Sequence, residues 1–289
     1  MERKEGTLRL ALPKGRMQNG VLRLLAEAGI DMSTADRDYR PAAGVDGLDV
    51  KVLKPQNIIE MLDIGSRDLG FAGADWVAEL GIDLVEVLDT GLDPVRLVAA
   101  APTAILEGGK LPKRRLVVAS EYEGIARRWI AAQGMDAEFV RSYGATEVFP
   151  PEDADCIVDN TATGSTLRAN GLSIVDEVMK STTRLYANQR AMEDPARRDR
   201  IEWFALLCRS VLAARGRVML EVNVDAARLE GLIAILPAMK EPTVSRLMGD
   251  SGFAVKIAAP RSALPNLIPA ILARGGTGIV ITQPSQIVP

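Results

Sequence analysis

Residues 154–171, ADCIVDNTATGSTLRANG, place an apolar run, a polar loop and a helix-like segment in direct succession. The apolar run 154–159 predicts a β-strand, and the segment after Thr166 predicts a short helix that ends near Gly171. Strand, loop and helix in this order are typical of an α/β fold, in which ligands bind beyond the carboxyl ends of the strands.

The same alternation extends toward the N-terminus. Apolar runs predict strands at 8–12, 48–53, 69–72, 116–119 and 139–140, with helix-period segments between them. Asp75 and Ser120 each precede such a segment and are predicted to be N-caps. After 171, residues 172–187 read as extended chain, and a long helix opens at Pro195 and ends at Gly216.

The C-terminal residues, 216–289, follow a strand, helix, strand, strand, helix, strand pattern. This βαββαβ order is that of the ferredoxin-like split unit, a common ligand-sensing module. The restart of the pattern after Pro102 indicates two lobes ahead of it. We therefore expect one lobe from 1–96 and 184–215, a second lobe from 97–183, and a third domain from 216–289.

Composition removes several classes of chemistry. The chain has 289 residues, a formal net charge of −3 and no histidine. The charge balance lacks the basic excess of a nucleic-acid-binding protein. The absence of histidine excludes Ser/His/Asp and Cys/His nucleophile systems, the usual catalytic zinc sites and imidazole acid–base steps. Lysines, arginines, carboxylates, hydroxyls and backbone amides must do the chemistry.

The two cysteines, Cys156 and Cys208, lie in apolar segments without CxxC spacing, so we expect reduced core residues. Charged residues interrupt the apolar stretch near the N-terminus, and the apolar run 97–106 is too short for a membrane span. These features predict a cytoplasmic protein that does not bind membranes.

Two loops have compositions suited to anions. In the first, Lys14 and Arg16 flank Gly15, which lets the backbone approach a phosphate; a solvated basic turn is the alternative. In the second, residues 159–166, hydroxyls and backbone amides around Gly164 could hold one phosphate while Asp159 accepts from ribose hydroxyls; a hydroxyl-rich helix cap is the alternative. The chain contains neither a GxxxxGK[ST] nor a GxGxxG motif.

Taken together, LRLALPKGR (8–16), RDLGFAGADWVAELG (67–81), the segment 144–172 around DNTATGST, and LEGLIAILPAMKEPTVSRL (229–247) resemble the long form of ATP phosphoribosyltransferase, the first enzyme of histidine biosynthesis. The resemblance runs from about Thr7 to Ile287. It implies two lobes of the type II periplasmic-binding-protein kind and a C-terminal domain that binds histidine.

The resemblance also implies the reaction and its site residues. The family transfers the phosphoribosyl group of 5-phosphoribosyl 1-pyrophosphate (PRPP) to N1 of ATP, with Mg²⁺ as cofactor. The residues it implies are Asp159, Thr161, Thr163, Gly164, Ser165 and Thr166 for PRPP; Lys14, Gly15, Arg16, Arg37 and Lys54 for ATP, with Lys14 and Arg16 also catalytic; and Asn223, Thr243, Ala258 and Gly278 for histidine.

The resemblance further implies a homo-oligomer, with dimers and hexamers as its forms, and Mg²⁺ held mainly through substrate phosphates. Many members have an arginine where this chain has Lys54, and some have an acid at Asn223. The competing interpretation is a non-catalytic cytoplasmic ligand sensor on the same two-lobed fold, since fold does not imply function. Such a sensor for an unphosphorylated solute would not need the two anion-binding loops.

Overall fold

One eight-stranded mixed sheet organises the larger part of the chain. The computed structural model describes residues 6–33, 39–249 and 251–288. The chain divides into two units, residues 1–26 with 30–205 and residues 27–29 with 206–289. The strands of the first unit are β1 (Leu8–Pro13), β2 (Leu48–Leu53), β3 (Leu69–Gly73), β4 (Val85–Pro102), β5 (Leu116–Ser120), β6 (Ala137–Arg141), β7 (Cys156–Thr161) and β8 (Leu172–Ala187). Their spatial order is β2-β1-β3-β8-β4-β7-β5-β6.

Helices connect these strands. They are α1 (Gln18–Glu27), α2 (Pro55–Asp63), α3 (Ala74–Leu80), α4 (Glu123–Ala132), α5 (Ser165–Ala169), α6 (Gln189–Glu193) and α7 (Pro195–Arg215), the last of which continues into the second unit. The apolar faces of α2 and α4 are buried through Ile58, Ile59 and Leu62 and through Ile125, Ala126 and Trp129. Burial of these faces against the sheet explains why short segments of modest helix propensity are helical.

The long strands β4 and β8 form an antiparallel ribbon through the middle of the sheet. The parallel strands β2, β1 and β3 lie on one side of the ribbon, and the parallel strands β7, β5 and β6 lie on the other. β3 is antiparallel to β8, and β7 is antiparallel to β4. The two outer groups of strands therefore run in opposite directions along the ribbon.

Both expected N-caps are wrong. The N-cap of α3 is Gly73, and Asp75 lies inside the first turn, where its buried carboxylate accepts hydrogen bonds from other elements. The N-cap of α4 is Tyr122; the Ser120 hydroxyl donates to the Val158 carbonyl and accepts from the Tyr122 amide. In both cases a tertiary partner takes the polar side chain away from the local cap.

The second unit contains a four-stranded antiparallel sheet. Its elements are β9 (Arg217–Val224), α8 (Leu229–Ile233), β10 (Thr243–Arg246), β11 (Phe253–Pro260), α9 (Leu264–Ala273) and β12 (Thr277–Thr282). The strand order β10-β11-β9-β12, with every neighbouring pair antiparallel, is that of the predicted ferredoxin-like unit. Alternate residues of β9 and β11 pack with Leu232, Leu267 and Ile271 in one core.

Both cysteines are free and buried, as their apolar surroundings predict. Burial raises the pKa of the Cys156 thiol to about 12 and that of the Cys208 thiol to about 12, so both stay protonated at neutral pH. Across the described residues, no helix has the length and apolar character needed to span a membrane.

Candidate functional site

A polar pocket of about 390 Å³ lies at the carboxyl end of β7. The loop between β7 and α5 forms one wall, and the loops that follow β5 and β6 contribute the rest. The lining residues are Glu121, Gly144, Ala145, Thr146, Glu147, Asp159, Asn160, Thr161, Ala162, Thr163, Ser165, Thr166 and Leu167. The volume falls within the range of small-ligand sites.

The β7–α5 loop is held in shape by its own hydroxyl groups. The Thr161 hydroxyl is buried and accepts from the Gly164 amide at 2.9 Å, and the Thr163 hydroxyl donates to the Ser165 hydroxyl at 3.0 Å. Gly164 has φ +73°, a left-handed conformation that glycine adopts at little cost. The sequence predicted free amides around Gly164, whereas here the Gly164 and Ser165 amides both donate to threonine hydroxyls.

Asp159 is the half-buried carboxylate of this pocket. Burial is the main factor that raises its pKa to about 6, and the nearby carboxylates of Glu147 and Glu121 add to the effect. Hydrogen bonds from the Asn160 amide, at 2.7 Å, and from the Thr146 hydroxyl act in the opposite direction. The group is ionised at neutral pH and can accept hydrogen bonds from a polyhydroxyl ligand.

Sequence reasoning missed the part of the pocket formed by Glu121 and by residues 144–147. Glu121 directly follows β5, and residues 144–147 lie in the loop after β6. Because β7, β5 and β6 are neighbouring parallel strands, the loops after their carboxyl ends meet at one edge of the sheet. The strands themselves were predicted, so the missing signal was their spatial order.

The first predicted loop follows β1. Lys14, Gly15 and Arg16 are all exposed, and Gly15 has φ +91° with open space on the side where a Cβ would lie. The Lys14 ammonium donates to the Tyr39 hydroxyl at 2.7 Å. These features leave the backbone at Gly15 accessible to a ligand.

Lys54 occupies the equivalent place on the neighbouring strand. Pro13 pairs with Leu53 in the sheet, and the Lys14 amide donates to the Leu53 carbonyl at 2.8 Å. Lys14 and Lys54 thus follow adjacent parallel strands and form a basic edge. Arg37, which was also expected to contact ATP, lies outside the described residues.

The strand register shows where the loops after β1 and β3 lie relative to the β7–α5 loop. β3 ends at Gly73 opposite Thr183 of β8, and β7 ends at Thr161 opposite Arg96 of β4. Arg96 in turn pairs with Lys180, so both strand ends reach the middle of the β4–β8 ribbon. The loops after β1 and β3 therefore approach the ribbon's centre from one side, and the β7–α5 loop approaches it from the other.

The four residues expected to bind histidine lie on the second unit's sheet, on the face opposite its core. Asn223 pairs with Ala254 and Thr277, and a Cβ at Gly278 would lie 3.1 Å from the Asn223 amide nitrogen. Asn223 and Gly278 are therefore neighbours. Ala258 pairs with Met219, about 13 Å along the strand from the Asn223 position, and Thr243 is on the edge strand opposite Lys256.

Comparison with known proteins gives consistent matches over the chain. A family model described as HisG, ATP phosphoribosyltransferase, matches residues 54–207, and a model of the HisG C-terminal domain matches residues 214–284. An ATP phosphoribosyltransferase of Chlorobium luteolum is 37% identical over 284 residues, covering 96% of this chain and 97% of that relative. One of Pelotomaculum thermopropionicum is 35% identical over 289 residues, covering 98% and 99%.

Among solved structures, the ATP phosphoribosyl transferase (HisG:HisZ) complex from Thermotoga maritima contains a chain that matches with a TM-score of 0.63 and 24% identity. The match covers 70% of this chain and 97% of that one, and it supports the fold assignment. With the C-terminal family match and the separate antiparallel sheet, it confirms the predicted fold class.

Proposed function

The chain belongs to the ATP phosphoribosyltransferase family, and from this membership we propose which of its residues carry the family reaction. The enzyme is a pentosyltransferase of histidine biosynthesis: it transfers the phosphoribosyl group of PRPP to N1 of the adenine of ATP and releases pyrophosphate. The alternative of a non-catalytic sensor finds no support, because the matched relatives are enzymes by name.

We assign PRPP to the pocket at the end of β7. The observation that carries this assignment is the position of one ionised, half-buried carboxylate, Asp159, beside a loop of hydroxyl groups in a pocket of about 390 Å³. Asp159 accepts hydrogen bonds from the ribose hydroxyls. The hydroxyls of Thr163, Ser165 and Thr166 surround the 5-phosphate, while Thr161 and Gly164 hold the loop in the required conformation.

We assign ATP and the departing pyrophosphate to the basic edge at Lys14 and Lys54. Gly15 and Arg16, in the same loop as Lys14, contribute to this site, and Arg37 is a further contact. The support is the exposure of Lys14, Arg16 and Lys54 after adjacent strand ends. In the reaction the bond from ribose C1 to the pyrophosphate oxygen breaks and a bond from C1 to adenine N1 forms. N1 already carries an in-plane lone pair, so no general base is required, which suits a chain without histidine.

Catalysis then depends on orientation and on stabilisation of negative charge. Lys14 and Arg16 gain interaction energy as charge accumulates on the departing pyrophosphate.

The donor set at the PRPP pocket fits Mg²⁺, because Glu121, Glu147 and Asp159 supply the oxygen ligands that this ion prefers. Within the described residues, no three such side chains form a ready-made metal cluster, so phosphate oxygens and water would complete the coordination. When bound there, Mg²⁺ would neutralise part of the negative charge of the substrate phosphates.

We further propose that the second unit binds histidine at Asn223, Thr243, Ala258 and Gly278 and transmits inhibition. Support comes from the family match of this unit and from the position of Gly278 beside Asn223, where a Cβ would lie 3.1 Å from the Asn223 amide nitrogen. The two free cysteines support a reducing, cytoplasmic compartment. We also propose that the chain forms a homo-oligomer, either a dimer or a hexamer.

The direct test is to mix the purified chain with ATP, PRPP and Mg²⁺ and to follow the near-ultraviolet absorbance of N1-substituted adenine. Product formation that requires all three components supports the proposal, and its suppression by added histidine supports the regulatory assignment. Binding of ATP and PRPP without any product would return the chain to the sensor interpretation.

A further inference from the structure

A buried chain of hydrogen bonds joins the two sides of the central ribbon. The Asn160 side-chain amide donates to the Tyr122 hydroxyl at 3.0 Å, and the Tyr122 hydroxyl donates to the Asp75 carboxylate at 2.8 Å. The other oxygen of Asp75 accepts from the Ser181 hydroxyl at 2.7 Å. Asp75, Tyr122 and Ser181 are 4%, 1% and 3% exposed. Such a network of buried hydrogen bonds restrains the groups at its ends, including the half-buried Asn160 side chain.

The carboxylate sets the direction of every bond in the chain. The two carboxylate oxygens of Asp75 accept from the Tyr122 and Ser181 hydroxyls, so the Tyr122 oxygen is left with lone pairs that accept from Asn160. Burial, reinforced by the negative charge of Asp75, raises the pKa of the Tyr122 phenol well above its ordinary value. The phenol thus stays protonated at any physiological pH, and the orientation of the Asn160 amide is fixed.

The network ends beside Asp159, the residue that we propose binds the ribose of PRPP. Asn160 directly follows Asp159, and its backbone amide donates to the Asp159 carboxylate at 2.7 Å. Asp75 lies just after β3, Tyr122 just after β5, and Ser181 in the centre of β8. The anchor for the PRPP loop is therefore built from elements on both sides of the ribbon.

We propose that Tyr122 and Asp75 are positioning residues for PRPP: by holding the Asn160 side chain, they fix the backbone that orients the Asp159 carboxylate toward the ribose. This inference rests on the proposed function, which assigns PRPP to this pocket. Neither residue needs to touch the reacting atoms, because the effect passes through Asn160 to Asp159.

Packing of Tyr122 can be separated from its hydrogen bonds. Its ring lies 4.6 Å from the ring of Trp76, centroid to centroid, and belongs to a cluster with Leu97 and Ile125. Tyr122→Phe keeps the ring in this cluster and removes only the hydroxyl. Tyr186→Phe is the matched control, because Tyr186 is also buried, at 3% exposure, but lies in β8 against the α2 side of the sheet.

The experiment measures steady-state kinetics of the full chain and calorimetric binding of PRPP. In Tyr122→Phe the KM and Kd for PRPP should rise about tenfold, the effect of one buried hydrogen bond. The KM for ATP and the kcat at saturating PRPP should stay within about twofold, and Tyr186→Phe should match the parent. Asn160→Ala alone should weaken PRPP binding, and adding Tyr122→Phe to it should cause little further loss, because the two residues act in series.

Four results would overturn the inference. Parent-like PRPP constants in Tyr122→Phe would show that the hydroxyl orients nothing, and a rise in the ATP KM alone would place it at the other substrate. Fully additive losses in the double variant would show that Tyr122 acts independently of Asn160. If the parent itself bound no PRPP, the proposed function would fail and the inference with it, which calorimetry on the parent distinguishes from the other outcomes.

Discussion

Replacement of Asp159 by asparagine should make the chain more stable and less able to bind PRPP. The folded-state pKa of this carboxyl is about 6, compared with an ordinary value of 3.8, and burial is the main cause. The folded protein therefore holds the Asp159 proton more tightly than the unfolded chain does. This contribution to stability is fully present below the unfolded pKa and is lost as the pH rises through about 6.

The size of the effect follows from the same two values. A difference between 3.8 and about 6 corresponds to about 3 kcal/mol of free energy. At about pH 8, ionised Asp159 should lower the free energy of unfolding by up to that amount, and Asp159→Asn should recover it. For a domain of this size the gain corresponds to an increase in Tm of roughly 6–12 °C at most. The same substitution removes a charged acceptor for the ribose hydroxyls and should weaken PRPP binding roughly 10- to 150-fold.

Thermal melts of the parent and variant between about pH 4 and pH 8, with calorimetry of PRPP, test both parts. Asp155→Asn is the matched control, because Asp155 lies four residues earlier, directly before β7. Burial acts to raise the Asp155 pKa, but hydrogen bonds from the Arg114 guanidinium at 2.6 Å and the Val117 amide at 2.8 Å lower it overall. Its replacement should therefore destabilise the chain at high pH, the opposite sign to Asp159→Asn.

The pH dependence of the stability difference between Asp159→Asn and the parent tests whether the raised pKa is its cause. The stability advantage of Asp159→Asn should shrink as the pH falls through about 6 and vanish near the unfolded pKa. A variant that melts at or below the parent at pH 8, or an advantage that does not change with pH, would refute the reasoning. PRPP binding equal to that of the parent would remove Asp159 from the ribose site.

The other assignments make separate predictions. Thr166→Ala should weaken PRPP about tenfold in calorimetry with ATP binding unchanged, and the reverse pattern would exchange the two substrates. Arg16→Ala should lower kcat as well as raise the KM for ATP, with Lys14→Ala in the same direction; unchanged kinetics in both would make this loop a solvated turn. Asn223→Asp should lower the histidine concentration for half-inhibition and Thr243→Ala should raise it, with uninhibited rates retained; histidine that competes with ATP in both variants would contradict the assignment.

The local part of the fold could be predicted from the sequence, because it depends on local periodicity. The strands 48–53 and 116–120 appear within a residue of their predicted bounds. The strand β4, by contrast, extends from residue 85, although only its apolar part from about 97 onward stands out in the sequence. Its first half pairs with β8 through repeated register shifts, and such pairing depends on tertiary contacts that leave no period-2 pattern.

Some features of the candidate site could likewise be predicted from local sequence, whereas others depend on the tertiary structure. The loops at 14–16 and 159–166 could be proposed as anion sites because their composition suits anions, and their ligands stay a prediction. Asp75 was assigned to a local role as a helix cap, and its actual partners, Tyr122 and Ser181, are 47 and 106 residues away. No local rule identifies such partners. The same applies to Glu121 and Glu147, whose place in the pocket depends on the order β7-β5-β6.

The direction of the strands explains how two polyanionic substrates can share one small enzyme of net charge −3. If β1 and β7 were parallel members of one sheet, their loops would lie side by side on one edge, and the two sets of phosphates would repel each other. Insertion of the antiparallel pair β4 and β8 reverses the second group of strands, so the loops approach the ribbon's centre from opposite sides. One side then presents Lys14, Arg16 and Lys54, and the other presents hydroxyls with the acidic groups Asp159, Glu121 and Glu147. The acidic side suits ribose hydroxyls and a phosphate-bound Mg²⁺, whereas the basic side suits free phosphate oxygens. On the proposed assignment of PRPP to the β7 pocket, this separation of charge favours an orientation with the ribose at Asp159 and the pyrophosphate directed toward the cations.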